Sequence, residues 1–453
     1  MFDSNQILAA VEKHRQLIEN AEAWLWKHPE TGFREWKSHE YLKNEFIKLG
    51  YSLREAGSIP GFTADLDTGR PGPRILVLGE LDSLICADHP DADPETHAVH
   101  SCGHHAQCAA LLGVAAALTE PGILDGLSGS VRLCAVPAEE LIETGYRETL
   151  RAQGIIRYMG GKVEFMHRGY FDDVDMAILL HTSGGDHDFV ITKGSNGCVV
   201  KNIYYQGRAV HASGAYEGIN ALYAANLGMQ AINALRETFK DEDHIRVHPI
   251  ITKGGTAVNA IPSDVRMESY VRGASMEAII KANKRVNRAL AASAAALGAQ
   301  VRLEDRPGYA PLNNDKNLAR IAEEAMRIVS PEEGKVVISG GWSTGCTDMG
   351  DLSAVMPTAQ PYACGAVGTG HGNDYRIADV NRACVNSAKA QVMMLSLLMK
   401  DDAAEARKVI DERRPVYSSI REYFEAVDKI TLDQNAVNTN EDGTITLTFA
   451  NPE

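Results

Sequence analysis

Apolar residues follow two different rhythms along the first two fifths of the chain. Residues 5–49 carry them at helical spacing, with Trp24 and Trp26 among them, and the pattern breaks near His28-Pro29-Glu30-Thr31-Gly32. Pro and Gly punctuate there, which predicts helices on either side. Residues 75–79, 129–137 and 174–180 are short continuous apolar runs, the pattern of strands buried on both faces. Between these runs 106–119 and 144–158 read as helices. Strands alternating with helices predict an α/β domain with a mixed sheet flanked by helices.

After about residue 190 the pattern changes. Residues 196–206 alternate like a half-exposed strand, and 217–239 form a long helical pattern. Two strands near 246–252 and 264–272, a helix over 275–298 and a strand at 300–304 complete a βαββαβ order. That is the ferredoxin-like unit, and it predicts a separate domain inserted into the first. Helix–strand alternation resumes at 317–328, 336–338 and 381–399. The expected division is therefore 1–192 and 311–400 for the two parts of the α/β domain, 193–310 for the insert, and 401–453 for a C-terminal extension. The extension reads as a charged helix followed by a hairpin around Asp442-Gly443.

Composition narrows the possibilities. Of 453 residues 44% are hydrophobic and 23% charged, which is ordinary for a globular chain with a large core. Forty-five Lys+Arg against 60 Asp+Glu gives −15, which argues against nucleic acid or an anionic membrane as partner. The longest apolar run, about 108–118, is too short to span a bilayer. The segment Met1–Gln6 lacks the basic-then-apolar order of a signal peptide. Eight cysteines without framework spacing point to a reduced cytosol. Cys102 and Cys108 are not spaced as a C-x-x-C pair, which disfavours thiol-redox chemistry.

Four segments carry candidate chemistry, each at a strand end or in a Gly-rich loop: Gly79–Ser83, His100–His105, Pro137–Glu140 and Gly368–Asp374. His181 also ends a strand. Open α/β sheets gather ligands outside the carboxyl ends of their strands, so one shared site would suit them all. Cys102, His104, Glu140, His181 and His371 offer thiolate, imidazole and carboxylate, the usual zinc donors. Five donors exceed one tetrahedral ion and suit two metals with one bridging ligand, a centre that clamps a carbonyl and activates water. Glu139 is then available as a base, and Asp82 could orient a ligand histidine.

Taken in order, these residues resemble the M20 family of metallopeptidases and amidohydrolases, most closely the branch of auxin-conjugate and aminobenzoyl-glutamate hydrolases. His28–Phe33 resembles that branch's HPE-x-x-F element, Cys102-Gly103-His104 its Cys-Gly-His pair, and Pro137-Ala138-Glu139-Glu140 its PAEE. Gly207–Ser213 resembles the lid-domain His motif, Asn259-Ala260-Ile261-Pro262 the N-x-I-P turn, and Thr347–Asp351 the late S/T-D-x-G-D loop. The resemblance implies a di-metal peptidase fold with a lid and dimerisation insert, and two divalent ions, zinc or manganese, per subunit.

It further implies that Glu139 is the general base, that Glu140, His104, His181 and His371 are ligands, and that Cys102 replaces a bridging carboxylate. His211 would reach a second subunit's site and hold the oxyanion. Asn259 would contact substrate, and Arg272 is the candidate for a substrate carboxylate, with Arg208 the alternative. Glu80 stands where classical members have a ligand His, and His105 where many have Asp or Asn. The long interval from Glu140 to His181 implies an added segment near 143–160 that could line the pocket. The expected activity is metal-dependent cleavage of the amide of an N-acyl, aminobenzoyl or peptidyl amino acid by a cytoplasmic homodimer or higher homo-oligomer acting on a small molecule. A dipeptidase or carboxypeptidase of the same fold is the runner-up. A non-catalytic metal-binding relative should have lost Glu139 or a donor, and none is missing.

Overall fold

The computed structural model describes residues 3–450 in two compact units. Met1, Phe2 and 451–453, at the outer ends of the first and last expected segments, lie outside the described residues. The first unit joins Met1–Gly194, Leu312–Trp342 and Asp351–Ile420; the second joins Ser195–Pro311, Ser343–Gly350 and Arg421–Glu453. No helix among the described residues is long and apolar enough to cross a membrane.

The first unit is built on a six-stranded sheet in the order Leu53–Glu55, Phe62–Asp67, Ser130–Val136, Arg74–Glu80, Met176–Ile178, Thr358–Ala359. Arg74–Glu80 lies between two parallel neighbours, in register Glu80↔Val136 and Val77↔Ile178. A strand with helices on both faces has no wet side, which is why 75–79 is apolar without alternation. The helix His104–Leu118 packs on it with every residue buried. The N-terminal helices Ser4–Lys13, Arg15–Trp26 and Trp36–Lys48 flank the 28–32 break; a second break, at His14, left no Pro or Gly signal. A further sheet pairs Val336–Ile338, Phe189–Ile191, Tyr362–Val367, His181–Gly184 and Arg376–Ile377.

One reading changes here. The helix expected over 144–158 stops at Ala152, and a second helix follows at Gly161–His167, because Gly154 takes φ +70° and the chain turns. The helix Asn386–Glu412 is interrupted at 400–403, where Asp401, Asp402 and Ala403 adopt positive φ, at the expected end of the 381–399 helix.

The second unit carries the βαββαβ order. Gly197–Gln206, Asp264–Gly273 and Gln300–Pro307 are antiparallel, with helices Ala221–Leu235 and Met276–Ala296 over one core. Gly197–Gln206 is not half exposed: its first seven residues are all buried. The polar ones that suggested alternation are accommodated inside, as Lys201 is met by Asp305, Asn283 and Asn287. Strand Leu432–Thr439 pairs with Gln300–Pro307 and turns through Asp442-Gly443 into Ile445–Leu447, so the C-terminal hairpin lengthens this sheet.

Candidate metal centre

Three parallel strands of the first unit deliver their carboxyl ends to one place. Arg74–Glu80 ends on Glu80 and leads to Asp82; Ser130–Val136 leads to Glu139 and Glu140; Met176–Ile178 leads to His181. Helix His104–Leu118 starts beside them with His104 as its first residue. Its N-cap is Gly103 at φ +87°, where a Cβ would fall 2.1 Å from Thr182 Oγ1 and 2.3 Å from Tyr375 Oη. Only glycine admits that approach, which keeps Cys102 and His104 together. Thr182 Oγ1 donates to Cys102 O at 3.1 Å and so ties the turn to the residue next to His181. His371 follows the strand Tyr362–Val367, at φ +63°, and its N–H donates to Ser101 O at 2.8 Å.

Donor atoms of Cys102, His104 and His181 lie within 4.8 Å of one another, as do those of Cys102, Glu140 and His371, and those of His104, Glu139 and Glu140. Cys102 Sγ is 3.6 Å from His181 Nε2, His371 Nε2 is 3.2 Å from Glu140 Oε1, and His104 Nε2 is 3.9 Å from Glu139 Oε2. Cys102 is thus common to two groups and His104 to two. Asp82 is fully buried and uses both oxygens: Oδ1 is 3.1 Å from His104 Nδ1, and Oδ2 accepts the Glu140 N–H at 2.8 Å. It therefore turns His104 Nε2 toward the cluster and anchors the Glu140 backbone at once.

The turn that presents Glu139 is strained and braced. Ala138 has φ +59°. Its N–H donates to the fully buried Glu35 at 2.7 Å, and the fully buried Arg147 donates to the carbonyls of Ala138, Met159 and Glu140. A left-handed non-glycine residue costs on the order of 1–3 kcal/mol and persists only where its surroundings over-determine it. Glu35 comes from the early 28–35 segment and Arg147 from the segment after Glu140, so the added helix fastens the turn that precedes it.

Charge in the cluster is tightly matched. Burial and the Glu140 carboxylate push the Cys102 thiol up, but His104 and His181 beside it bring it down to about 6. Burial raises Glu140, yet His371, His104 and Cys102 hold it near 2. Burial opposes the charging of His104 and His181, but the Cys102 thiolate raises both, helped by Glu80. Contacts with Cys102 and Glu140 raise His371 to about 11. Buried anions of this kind need a cationic partner. Glu80 Oε2 and His104 Nε2 are buried without a hydrogen-bond partner. Orphaned donor atoms beside a thiolate, a carboxylate and imidazoles fit divalent metal, and Cys102, His104, Glu140, His181 and His371 are the residues that would hold it.

His105 turns away from this cluster: it is buried with Nε2 3.3 Å from Glu22 and its ring against Trp26. His211, Asn259 and Arg272 belong to the second unit. The Ala212 N–H donates to Asn259 O at 2.9 Å and His211 bridges to Ala260, so the His motif and the N-x-I-P turn are neighbours. His211 is exposed, with Nδ1 2.7 Å from Ser213 Oγ. Arg272 lies half-buried over the Tyr270 ring at 5.2 Å, without an ion pair among the described residues. Lys162, fully buried against Glu80, escaped the sequence reading, because no local pattern marks a lysine followed by Val163-Glu164-Phe165-Met166 as buried.

Residues 77–396 match the model for peptidase family M20/M25/M40. The chain is 28% identical over 392 residues to the mouse (Mus musculus) Xaa-Arg dipeptidase, covering 82% of each chain. It is 28% identical over 261 residues to the indole-3-acetyl-aspartic acid hydrolase of Enterobacter agglomerans, covering 54% of this chain and 55% of that one. Among solved structures, the YXEP protein of Bacillus subtilis, a dinuclear metal-binding peptidase, superposes with a TM-score of 0.61 at 19% identity, covering 86% of this chain and 99% of that one.

Proposed function

The chain belongs to peptidase family M20/M25/M40, whose members hydrolyse amide and peptide bonds, and we propose that it cleaves the amide of an N-acyl or aminobenzoyl amino acid with a metal-activated water. The observation that carries this reading is the convergence of Cys102, His104, Glu140, His181 and His371 beside a carboxylate, Glu139, on a separately braced turn. Two divalent ions held by those five residues would polarise the scissile carbonyl and acidify water. Zinc suits the thiolate, and manganese is tolerated by the carboxylate and imidazoles. Glu139 takes the water's proton and later delivers it to the leaving amine. Asp82 keeps His104 in one orientation throughout.

The insert supplies the rest of the proposal. Strand Ile250–Lys253 is exposed along its length, with Ile250 49% and Ile251 39% accessible, which supports pairing of two copies along this edge. His211 would act on the partner's oxyanion. Arg272 would take the substrate carboxylate with its planar guanidinium, and Asn259 would line the same subsite. A second reading, dipeptide hydrolysis, is favoured by the likeness to the Xaa-Arg dipeptidase along most of both chains. The proposed setting is the cytoplasm.

The test is a panel of N-acyl amino acids, aminobenzoyl-glutamate and dipeptides, assayed after chelation and after reloading with zinc or manganese. Cleavage that vanishes with chelation and returns with metal is expected, fastest on an N-acyl or aminobenzoyl amino acid. Fastest cleavage of dipeptides selects the second reading. A reloaded enzyme that cuts no member of the panel overturns both.

A further inference from the structure

Glu80 and Lys162 bury opposite charges completely, with Lys162 Nζ 2.5 Å from Glu80 Oε1. An ion pair that served only the core would be expected to satisfy its remaining polar atoms, because a buried polar atom left bare is costly. This pair does not. Glu80 Oε2 is buried and makes no hydrogen bond; its neighbour 3.2 Å away is His104 Nε2, also without a hydrogen bond, and a proton on that nitrogen would pair the two where a metal could instead sit. His104 Nδ1 is already occupied by Asp82, so Nε2 is the atom that His104 offers. A Glu80 oxygen also lies within 4.8 Å of one from Glu139. Two orphaned atoms on different elements, one imidazole nitrogen and one carboxylate oxygen, therefore face the same small gap.

Resting on the metal-hydrolase reading above, we propose that Glu80 Oε2 is a further metal donor of this centre, and that Lys162 is the internal counter-ion that holds Glu80 in place with that one oxygen free. Cys102 and Glu140, read above as donors, would already bring two anions to this centre. A third is tolerated there only with compensation. The ammonium supplies it, and by occupying Oε1 it restricts Glu80 to coordination through one oxygen. The backbone explains how a lysine gets there. Helix Gly161–His167 starts against the Pro137–Ala138 turn, so closely that a Cβ on Gly161 would fall 1.6 Å from Pro137 O. Lys162, the next residue, is thereby carried to the end of the strand Arg74–Glu80.

The experiment measures metal binding in the full-length protein by chelator competition, with Co2+ absorption as a second readout. Wild type is compared with the double variant Glu80→Gln/Lys162→Met, which removes both charges and leaves neither stranded. Expected are a folded double variant, a roughly 10–100-fold loss of affinity for one of two ions, and an altered Co2+ spectrum. Wild-type affinity and spectrum in the folded double variant overturn the proposal while leaving the metal-hydrolase reading intact. Should the double variant not fold, Glu80→Asp keeps the charge but withdraws the carboxylate by one methylene; the same loss is expected, and unchanged binding overturns the proposal. A wild-type protein that binds no divalent ion overturns the proposal together with the reading it rests on. Lys162→Met alone tests the counter-ion. The metal-free variant should melt well below metal-free wild type, and saturating metal should narrow that gap, because the dication then compensates Glu80. A gap that metal leaves unchanged would make Lys162 an ordinary core residue.

Discussion

Among the described residues, each unit fully buries one lysine against one carboxylate, and the two pairs are completed differently. In the inserted unit, Lys201 donates to Asp305, Asn287 and Asn283, and both asparagines donate to Asp305 Oδ2, at 2.7 and 2.8 Å. All three ammonium protons and both carboxylate oxygens are spoken for. In the first unit, Lys162 takes one oxygen of Glu80, and the other is left facing an equally orphaned His104 nitrogen. A closed polar network repays its desolvation with itself and contributes to a unique core. An open one has its desolvation repaid by something that binds. Two similar residue pairs thus serve different ends, and the count of unsatisfied atoms separates them.

Predictions follow that contrast from the largest effect to the smallest. In the open region, Glu139→Gln should keep fold and metal while lowering turnover by roughly 10²–10⁴-fold, the usual contribution of a general acid–base. Turnover near wild type would remove Glu139 from the chemistry. In the closed region, Asp305→Ala strands a buried ammonium and should destabilise the protein by about 3–5 kcal/mol in denaturant unfolding, with metal content unchanged in the folded fraction. A loss below about 1 kcal/mol, or loss of metal, would break the comparison.

Cysteine reactivity sharpens it. In metal-free protein the Cys102 thiol is held at about 6, well below the roughly 8.5 of a free thiol. Its thiolate therefore contributes stability that is fully present above about 8.5 and is lost as pH falls through about 6. Alkylation at Cys102, read by mass spectrometry, should rise with pH around 6 in the chelated protein, and metal should suppress it. Cys108 and Cys134, raised by burial, should stay unlabelled. Equal labelling of Cys102 with and without metal would make it a buried hydrophobe like those two.

The remaining two predictions ask whether the unit with the closed interior acts through its surface. Wild type should prefer an N-acyl amino acid over its carboxamide by about tenfold in kcat/KM, since a charged hydrogen bond contributes about 1.5–3 kcal/mol. Arg272→Ala should abolish the preference and spare the carboxamide; an equal fall on both substrates would make Arg272 structural. Mixing His211→Ala with Glu139→Gln subunits should recover activity, at most about half the wild-type rate per heterodimer. No recovery after proven subunit exchange would confine His211 to its own chain or to no role.

Elements with one clean period were legible. The apolar run 75–79 and the βαββαβ order appear as strands and helices near the positions that periodicity implied. Where the reading slipped, long-range partners had changed what a residue type meant. Gly197–Gln206 looked half exposed because Lys201 and Asn202 are polar, and the partners that make Lys201 a core residue lie more than 80 positions later. The C-terminal hairpin was visible in Asp442-Gly443, but its pairing with Gln300–Pro307 was not, since an antiparallel partner leaves no mark in the local pattern.

For the candidate site, the types and strand-end positions of Cys102, His104, Glu139, Glu140, His181 and His371 were readable, because metal chemistry selects few residue types and parallel sheets present ligands at their carboxyl ends. Which donors would share an ion was not readable. Nor was the bracing of Ala138 by Glu35 and Arg147, or the pairing of Glu80 with Lys162. Sequence by itself determined the inventory of candidate donors and the periods that put them near the ends of elements. Tertiary structure alone decided which polar atoms are satisfied, because a hydrogen bond or ion pair depends on distances of a few ångström between residues far apart in the chain, and those distances exist only once the sheets and helices have packed.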